Sequence, residues 1–577
     1  MDFKFRHKLI LALAAVTTAF SIPMASAEQV HNHADKYANS DGYVWISIGT
    51  DAYKTITEKY TTDLDLIVSK EQKLVFNKAS QKERLMSTPM ALQVRASQLD
   101  KLSKIMHQEF HRCAGFIAHA DFEGAKSATV LSNQTAITAV EYSIDNPAVV
   151  SELLSQLQPT NLTSTVTNMS NYNNRYYTAQ SGVEASNWLK GEWELLASSR
   201  DDISVELFQH SGWAQPSVIA TIEGSTLADE IVVIGGHLDS INGSSPANGR
   251  APGADDNASG IAVVTETLNA IVASGFKPQK TIKLMGYAAE EVGLRGSDEI
   301  AAQFAQDNID VVGAAQFDMT GFRGTTGQDF TFISDFTNAE QNQYMADLVD
   351  TYLTDLTYDF DLCGYGCSDH ASWTRHGFAA SFPFEANFRN SNSRIHTSGD
   401  SAFDSAHAIN FAKLSVIYAA ELAKGTTEIS TALSSLLFSQ AELDAENNST
   451  ITISVRRVGP NQSAVSVDFQ TVDGSAIAGT DYQATSGTLN WDALDNAEKQ
   501  ISIVVNSVDV DKSFTVDLSN PQGGELGSTS TISVTVKAQA VTQPDPEPEA
   551  ESSGGGGSLG YLSIILLLLI RNRKLRY

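Results

Sequence analysis

Residues 231–240 read IVVIGGHLDS, a short apolar run that ends in two glycines and then in polar residues able to bind a metal. Two further segments also join an apolar run to a residue that can bind a metal: residues 281–291 read TIKLMGYAAEE, and residues 311–318 read VVGAAQFD. Short apolar runs that alternate with amphipathic helices are typical of an α/β domain built on a mostly parallel sheet. Residues 259–273 place apolar side chains at helical spacing and predict one of the flanking helices. We predict strands at 231–234, 281–287 and 311–317, within an α/β domain that spans 136–425.

Each of these apolar runs leads into histidine or carboxylate side chains. The carboxyl ends of parallel strands meet at one edge of a sheet, which is where α/β folds build their sites. Adjacent glutamates at the mouth of an apolar strand are costly to bury unless cations neutralise them. A set of nitrogen and oxygen ligands without thiolates suits catalytic zinc. The five ligands counted here, two histidines and three carboxylates, exceed what one tetrahedral zinc ion takes but suit two metal ions that share a carboxylate. Read alone, Asp255 and Asp256 could equally cap the following helix. The candidate residues are His237, Asp256, Glu290, Glu291, Asp318 and His396.

Four motifs in this order resemble those of the bacterial leucyl aminopeptidases, which are secreted dizinc exopeptidases. They are GGHLDS at 235–240, APGADDNASGI at 251–261, AAEEVGLRGS at 288–297 and CGYGCSDH at 363–370. The resemblance implies two Zn²⁺ ions bridged by Asp256, one also held by His396 and Glu291 and the other by His237 and Asp318. It further implies that Glu290 is the general base and that Asp239 supports the ligand His237.

The same resemblance implies a disulfide between Cys363 and Cys367, and the spacing fits a metal or redox motif less well. The bridge would present Tyr365, whose phenol could donate to a developing oxyanion or could merely pack. Apolar residues near the ligands match the family's substrate pocket and imply a preference for large hydrophobic N-terminal residues. Ser391 stands where the family can carry an aromatic, so this pocket could be wider. The pocket residues are Met319, Phe384, Phe388 and Ile395.

The N-terminal 135 residues are predicted to be processing segments. Residues 1–27 carry a basic start, an apolar stretch and Ala25-Ser26-Ala27, the pattern of a secretory signal peptide. Residues 28–135 lie between this signal and the α/β domain, and we interpret them as a propeptide. Helical spacing is present at 92–105, and we find no residues of catalytic spacing in this segment.

The C-terminal part is predicted to be a separate domain followed by a sorting signal. Short alternating strands at 440–540, with TVDGSA at 471–476 and AGTDY at 478–482, resemble a Calx-beta domain, an all-β sandwich. Such a domain could bind Ca²⁺ through clustered carboxylates, but we favour Asp473 and Asp481 as turn residues.

Residues 541–558 form a Pro/Glu and then Gly/Ser linker, and 559–577 an apolar segment with a basic tail. Together these two segments resemble the GlyGly-CTERM sorting signal of Gram-negative bacteria. The resemblance implies transient membrane contact, cleavage by a rhomboid-type protease and export, whereas a permanent tail anchor is the alternative.

The composition and net charge of the chain argue against some classes of function. The chain has 577 residues, 42% of them hydrophobic, and 39 Lys and Arg against 68 Asp and Glu give a net charge of −29. Such a charge disfavours nucleic-acid binding. We therefore predict a secreted zinc aminopeptidase that acts on peptides with a free N-terminus. The alternatives are a carboxypeptidase or a glutaminyl cyclase on the same fold, or a surface-binding protein that works through the sandwich.

Overall fold

The structure is a computed structural model that describes residues 42–67, 90–110, 115–119, 121–128, 140–428 and 432–538. These residues form three units, which we call the N-terminal unit (42–128), the central unit (140–428) and the sandwich (432–538). The predicted signal peptide, linker and C-terminal sorting signal lie outside the described residues. None of the described helices has the length and apolar character needed to cross a bilayer.

The N-terminal unit is an antiparallel sheet of order β2-β3-β1-β4 with helices packed against it. Its core is closed and apolar, with Val44, Ile46, Leu92 and Met106 fully buried. Its strands are β1 Tyr43–Ile48, β2 Leu66–Ile67, β3 Met90–Arg95 and β4 Phe116–His119, and its helices are α1 Thr50–Lys59, α2 Leu99–Phe110 and α3 Phe122–Ser127, with a 3₁₀ turn at Ala96–Gln98.

The prediction of a helix from the spacing at 92–105 is wrong for the first residues of that range. Residues up to Arg95 belong to strand β3, which pairs with β1, and helix α2 begins only at Leu99. Met90 to Val94 are buried on both faces of the sheet, so the strand lacks polar alternation, and a short apolar run of this kind does not distinguish strand from helix.

The central unit is built on a six-stranded sheet of order β13-β10-β7-β9-β6-β5. Strands β13, β10, β7 and β9 run parallel, whereas β6 and β5 pair antiparallel at one side. The strands are β5 Ile203–Phe208, β6 Ser217–Ile222, β7 Leu227–His237, β8 Phe276–Pro278, β9 Lys280–Tyr287, β10 Asp310–Gln316, β11 Phe330–Ile333, β12 Tyr358–Asp361, β13 Ala380–Ser381, β14 Pro383–Phe384 and β15 Gly425–Thr427.

Helices cover both faces of this sheet. Helix α7 is buried along its whole length and packs with α11 in the largest apolar core of this unit. The helices are α4 Pro147–Ser155, α5 Pro159–Asn171, α6 Gln180–Ala197, α7 Gly260–Ala273, α8 Arg295–Gln306, α9 Ala339–Tyr352, α10 His370–Arg375 and α11 Ser405–Ala423, with an irregular helical turn at Ala254–Ser259 and a 3₁₀ turn at Phe388–Asn390.

Strand register brings the predicted ligands to one edge of the sheet. Gly235 on β7 lies opposite Gln316 on β10, and His237 lies opposite Tyr287 on β9. The residues that follow these positions therefore leave the sheet side by side. This arrangement explains how motifs far apart in the chain can form one site.

The sandwich contains two sheets, of order β21-β18-β16-β23 and β17-β24-β22-β19-β20, around a separate apolar core. Its strands are β16 Ser435–Phe438, β17 Glu442–Ala445, β18 Thr450–Val458, β19 Val465–Val472, β20 Ser486–Trp491, β21 Lys499–Val504, β22 Lys512–Gln522, β23 Glu525–Leu526 and β24 Thr531–Val536. The predicted fold class, an α/β domain followed by a small all-β sandwich, is confirmed.

Candidate active site

Two buried clusters of histidine and carboxylate side chains meet at Asp256. In the first cluster, His237 Nε2 lies 3.1 Å from Asp256 Oδ1 and 3.3 Å from Asp318 Oδ1. In the second, His396 Nε2 lies 2.9 Å from Asp256 Oδ2 and 3.4 Å from Glu291 Oε2. Each oxygen of Asp256 thus faces a different histidine, which is the arrangement expected of a carboxylate that bridges two metal ions.

A third residue of the second cluster comes from the N-terminal unit. His107, on helix α2, places its Nε2 atom 3.2 Å from Glu291 Oε2, and its side chain is 1% exposed. His107, Glu291 and His396 together could hold a metal ion, as could His237, Asp256 and Asp318. Residues 28–135, in which the sequence shows no catalytic spacing, therefore contribute a side chain to this cluster. No local motif marks His107, because only the tertiary fold brings helix α2 to this edge.

The donor set fits metal ions. Asp318 Oδ1 and both carboxyl oxygens of Glu291 are buried, and no described residue donates a hydrogen bond to them. Buried carboxylates without donors are strongly unfavourable unless they are neutralised or coordinate a metal. Neutral imidazole nitrogens and carboxylate oxygens are ligands of catalytic zinc. The residues that would hold two ions are His237 with Asp318 and His396 with Glu291, with Asp256 between them.

Glu290 lies beside these clusters without belonging to either. Its two carboxyl oxygens are buried, and no described residue donates a hydrogen bond to them. Burial raises the pKa of the Glu290 carboxyl well above its ordinary value, the nearby His237 opposes this, and Asp369 and Asp318 raise it further. A carboxylate with a raised pKa and unused lone pairs is suited to accept a proton from water.

Asp239 contacts His237, two residues before it, and the backbone of both Glu290 and Glu291. Its Oδ1 atom lies 3.4 Å from His237 Nδ1 and accepts a hydrogen bond of 3.1 Å from Glu290 N. Its Oδ2 atom accepts from Glu291 N at 3.2 Å. A carboxylate on the far nitrogen of a ligating histidine selects the tautomer and holds the ring in place.

Two positioning residues were not identified from the sequence. Ser368 donates a hydrogen bond of 2.7 Å to Asp318 Oδ2 and accepts one of 3.0 Å from Gln316 Nε2. Asp400 accepts from the backbone N–H groups of Asp255 and Asp256 at 3.3 and 3.1 Å. The only available signal was that Ser368 directly follows the cysteine pair, and nothing local points to Asp400.

The disulfide loop and the predicted pocket residues form one apolar cluster. Cys363 and Cys367 are bonded, and Tyr365 between them is buried with its ring centroid 6.2 Å from that of Phe388. Met319, Phe384, Phe388 and Ile395 pack in this same cluster. Because Met319 directly follows Asp318 and Ile395 directly precedes His396, the apolar cluster borders both histidine–carboxylate clusters.

Comparison with known proteins supports this arrangement. The model of peptidase family M28 matches residues 217–417, and that of the Calx-beta domain matches residues 431–543. A probable leucine aminopeptidase of Arthroderma benhamiae is 37% identical over 289 residues, which are 49% of this chain and 78% of the relative. The chain belongs to peptidase family M28. Leucine aminopeptidase 1 of Ajellomyces capsulatus is 37% identical over 293 residues, which are 48% of this chain and 75% of that relative.

Solved structures agree with the M28 assignment. The LapA aminopeptidase of Legionella pneumophila superposes with a TM-score of 0.55 at 28% identity, covering 67% of this chain and 99% of its own. LapB from the same organism gives a TM-score of 0.55 at 25% identity, with 66% and 100% covered. This M28 peptidase is thus a metallo-aminopeptidase, a hydrolase of peptide bonds, and carries a Calx-beta domain. The resemblance to aminopeptidases and to Calx-beta domains is confirmed, whereas the bacterial origin and the sorting signal stay predictions.

The carboxylates considered for calcium in the Calx-beta domain are engaged within the protein. Asp473 Oδ1 accepts hydrogen bonds from Ala478 N at 2.8 Å and from the Tyr482 hydroxyl at 2.6 Å. Both oxygens of Asp481 accept from Lys512 Nζ at 2.8 and 2.9 Å. These contacts favour the turn role of Asp473 and Asp481 over calcium binding.

Proposed function

We propose that this M28 peptidase is a secreted zinc aminopeptidase that removes large hydrophobic residues from the N-termini of peptides. The observation that carries the proposal is the pair of buried histidine–carboxylate clusters that share Asp256, with Glu290 beside them. The sequence of the first 27 residues supports secretion, and the apolar cluster around Met319 and Phe384 supports the side-chain preference.

The site would hold two zinc ions through Asp256 and two further residues each. When bound, paired zinc ions supply Lewis acidity to the scissile carbonyl and lower the pKa of a water molecule. Within this chain, Glu290 would accept a proton from the attacking water and deliver one to the leaving amine. Its raised pKa and unused lone pairs support this role.

Other residues would orient the reacting groups. Tyr365 would donate its phenol proton to the oxygen that gains charge as water attacks the carbonyl. Its place on the disulfide loop, among the residues of the apolar cluster, supports that role. Met319, Phe384, Phe388 and Ile395 would surround the side chain of the N-terminal residue and exclude water from it.

The test is hydrolysis of leucine p-nitroanilide by the zinc-loaded chain after proteolytic separation of the N-terminal and central units. We expect turnover by the parent enzyme and a loss in kcat of roughly 10²–10⁴-fold in Glu290→Gln, because the variant cannot take up the water proton. Zinc content should be unchanged in this variant. Glu184→Gln, on the exposed side of helix α6, is the matched control and should keep full activity.

Substrates that differ at the N-terminus test the remaining parts of the proposal. Leucine and phenylalanine p-nitroanilides should be hydrolysed faster than the alanine and lysine compounds. A chain that holds two zinc ions and shows no turnover of any of them contradicts the proposal. Cyclisation of N-terminal glutamine or cleavage at a C-terminus would then identify one of the alternative activities on this fold.

A further inference from the structure

Helix α2 of the N-terminal unit inserts a histidine among the metal-ligating residues of the central unit. The ring of His107 lies against that of His396, with centroids 3.9 Å apart and planes inclined by 41°. Its Nε2 atom is 3.2 Å from Glu291 Oε2, in the cluster that has the composition of a metal site. The Nε2 atom of His107 is thus at least as close to Glu291 Oε2 as the Nε2 atom of His396, which lies 3.4 Å away.

Ser103, one turn earlier on α2, sets the orientation of this ring. The Ser103 hydroxyl donates a hydrogen bond of 2.7 Å to the carbonyl oxygen of Glu291. Its single proton is thereby used, so at the 3.2 Å separation from His107 Nδ1 the hydroxyl oxygen accepts and the ring nitrogen donates. A histidine that ligates a metal typically donates its other ring N–H to a neighbouring oxygen in this way.

The opposite nitrogen of His107 then carries a lone pair that points into the cluster. His107 Nε2 is buried, and no described residue donates a hydrogen bond to it. It faces the oxygens of Glu291, which also lack donors among the described residues. Lone pairs that face one another in a buried space repel unless a cation lies between them.

We propose that His107 is a fourth protein ligand of the zinc ion held by Asp256, Glu291 and His396, and that the N-terminal unit thereby keeps the enzyme inactive. Four protein ligands are characteristic of closed structural zinc sites, whereas catalytic zinc keeps a position open for water or substrate. Three ligands from the central unit leave such a position, and His107 closes it. This inference rests on the proposed function, because it assumes that metal ions occupy the two clusters.

Contacts around the site fix the N-terminal unit where His107 is presented. Ala118 N, on strand β4, donates a hydrogen bond of 3.1 Å to Gly293 O, two residues after Glu291. Ile117 packs on the disulfide loop so closely that a Cβ atom at Gly366 would lie 2.4 Å from Ile117 Cδ1. The same unit therefore covers the glutamate loop and the neighbour of Tyr365.

A polar contact anchors the start of helix α2. The Tyr176 and Tyr177 hydroxyls donate to Asp100 Oδ1 at 2.7 and 3.1 Å. The contacts of Asp100 and those of strand β4 therefore hold the segment that carries His107 to the central unit at both of its ends. We therefore expect the unit to leave the site as one body, and His107 with it.

Cobalt substitution tests the ligand directly, because the visible bands of Co²⁺ respond to the number and type of its ligands. The full chain, freed of metal and reloaded with two equivalents of Co²⁺, is compared with His107→Ala and His107→Phe. The Phe variant keeps a ring between helix α2 and His396 but has no nitrogen. Gln108→Ala is the matched control, since Gln108 is the next residue of α2 and is exposed.

We expect the parent and Gln108→Ala to share one spectrum, and both His107 variants to show shifted bands. Loss of the ligand should also make the weaker-held metal at least about tenfold easier to remove with a chelator. In the same samples, leucine p-nitroanilide hydrolysis should rise roughly tenfold or more in the His107 variants. Cleavage between the N-terminal and central units should produce the same spectral shift and the same gain in the parent.

Unchanged cobalt spectra in both His107 variants would overturn the proposal and leave His107 as an ion-pair partner of Glu291. Shifted spectra with hydrolysis that rises only after cleavage would overturn the inhibitory part, because the docked unit would then block the site without the ligand. Shifted spectra with no hydrolysis, even after cleavage, would support His107 as a ligand and contradict the proposed aminopeptidase function. The two claims therefore fail in different ways.

Discussion

At the residue scale, single side chains hold several groups of the site at once. Asp239 contacts the ring of His237 and accepts from the backbone of both Glu290 and Glu291. A substitution at Asp239 would therefore disturb the proposed ligand His237 and the proposed general base Glu290 together. Its position two residues after His237 made this role readable from the sequence, because both lie at the end of one strand.

Ser368 offers a cleaner residue-scale test, since it touches only one ligand. Ser368→Ala removes the 2.7 Å hydrogen bond to Asp318 Oδ2 and leaves that oxygen without its donor. We expect zinc affinity at the His237–Asp318 cluster to fall roughly 10–100-fold, as is typical when the support of a ligand is lost. Competition with a chromophoric chelator measures this change.

Ser391→Ala is the control for this experiment. Ser391 donates its hydroxyl proton to Phe388 O at 3.1 Å and is bonded to no ligand. Its variant should bind zinc as the parent does. Equal zinc affinity in Ser368→Ala and the parent would mean that Ser368 does not support Asp318.

At the element scale, the sequence located the strands that carry the ligands but not their full extent. The predicted strand 231–234 is the buried centre of β7, Leu227–His237, whose first three residues are exposed. Helix α7 was predicted within one residue, because its apolar spacing is unbroken. Residues 92–95, which belong to strand β3, were predicted as helical because burial on both faces removes the alternation that marks a strand.

Helix α7 also contains a buried carboxyl group that makes stability depend on pH. Glu266 accepts hydrogen bonds from Gln158 N at 2.7 Å and from the side-chain amides of Asn161 and Asn269 at 3.1 and 3.2 Å. Burial raises the pKa of Glu266 to about 7, although these donors oppose the shift. The folded chain therefore favours the protonated form, and this contribution to stability is lost as the pH rises through 7.

Glu266→Gln should remove that pH dependence, because an amide does not ionise. Between pH 5 and pH 8 we expect the parent to lose on the order of 3 kcal/mol relative to the variant. Thermal unfolding at several pH values measures the difference. Glu194→Gln, on the exposed side of helix α6, is the control and should follow the parent. Parallel curves for the parent and Glu266→Gln would contradict the assignment.

At the scale of the whole molecule, composition separated the three units but gave no sign of how they pack. The sandwich attaches to the central unit through Arg456, whose Nη1 atom donates to Glu192 Oε2 at 2.8 Å, and through Gln462, which donates to Ala273 O at 2.7 Å. The N-terminal unit instead lies on the metal-binding edge. Contacts of this kind join residues without local motifs, so a single sequence does not reveal them.

His237, Glu290, Glu291 and Asp318 were recognisable as candidates because each stands at or just after the end of a strand. Asp256 and His396 follow no strand end directly, and their candidacy depended on the family resemblance. His107 was not recognisable, because it lies inside an amphipathic helix where a buried histidine has no special meaning. Its role depends on the docking of one folded unit on another. The metal centre is thus complete only when the N-terminal and central units are considered together.

The most direct test of this account is an anomalous difference map, recorded at the zinc edge, from crystals of the full chain grown with zinc. The account predicts two peaks that share Asp256, one beside His237 and Asp318 and the other beside His107, Glu291 and His396. A single peak, or peaks away from Asp256, would contradict the dizinc site. Two peaks with His107 turned away from both would contradict the fourth ligand alone.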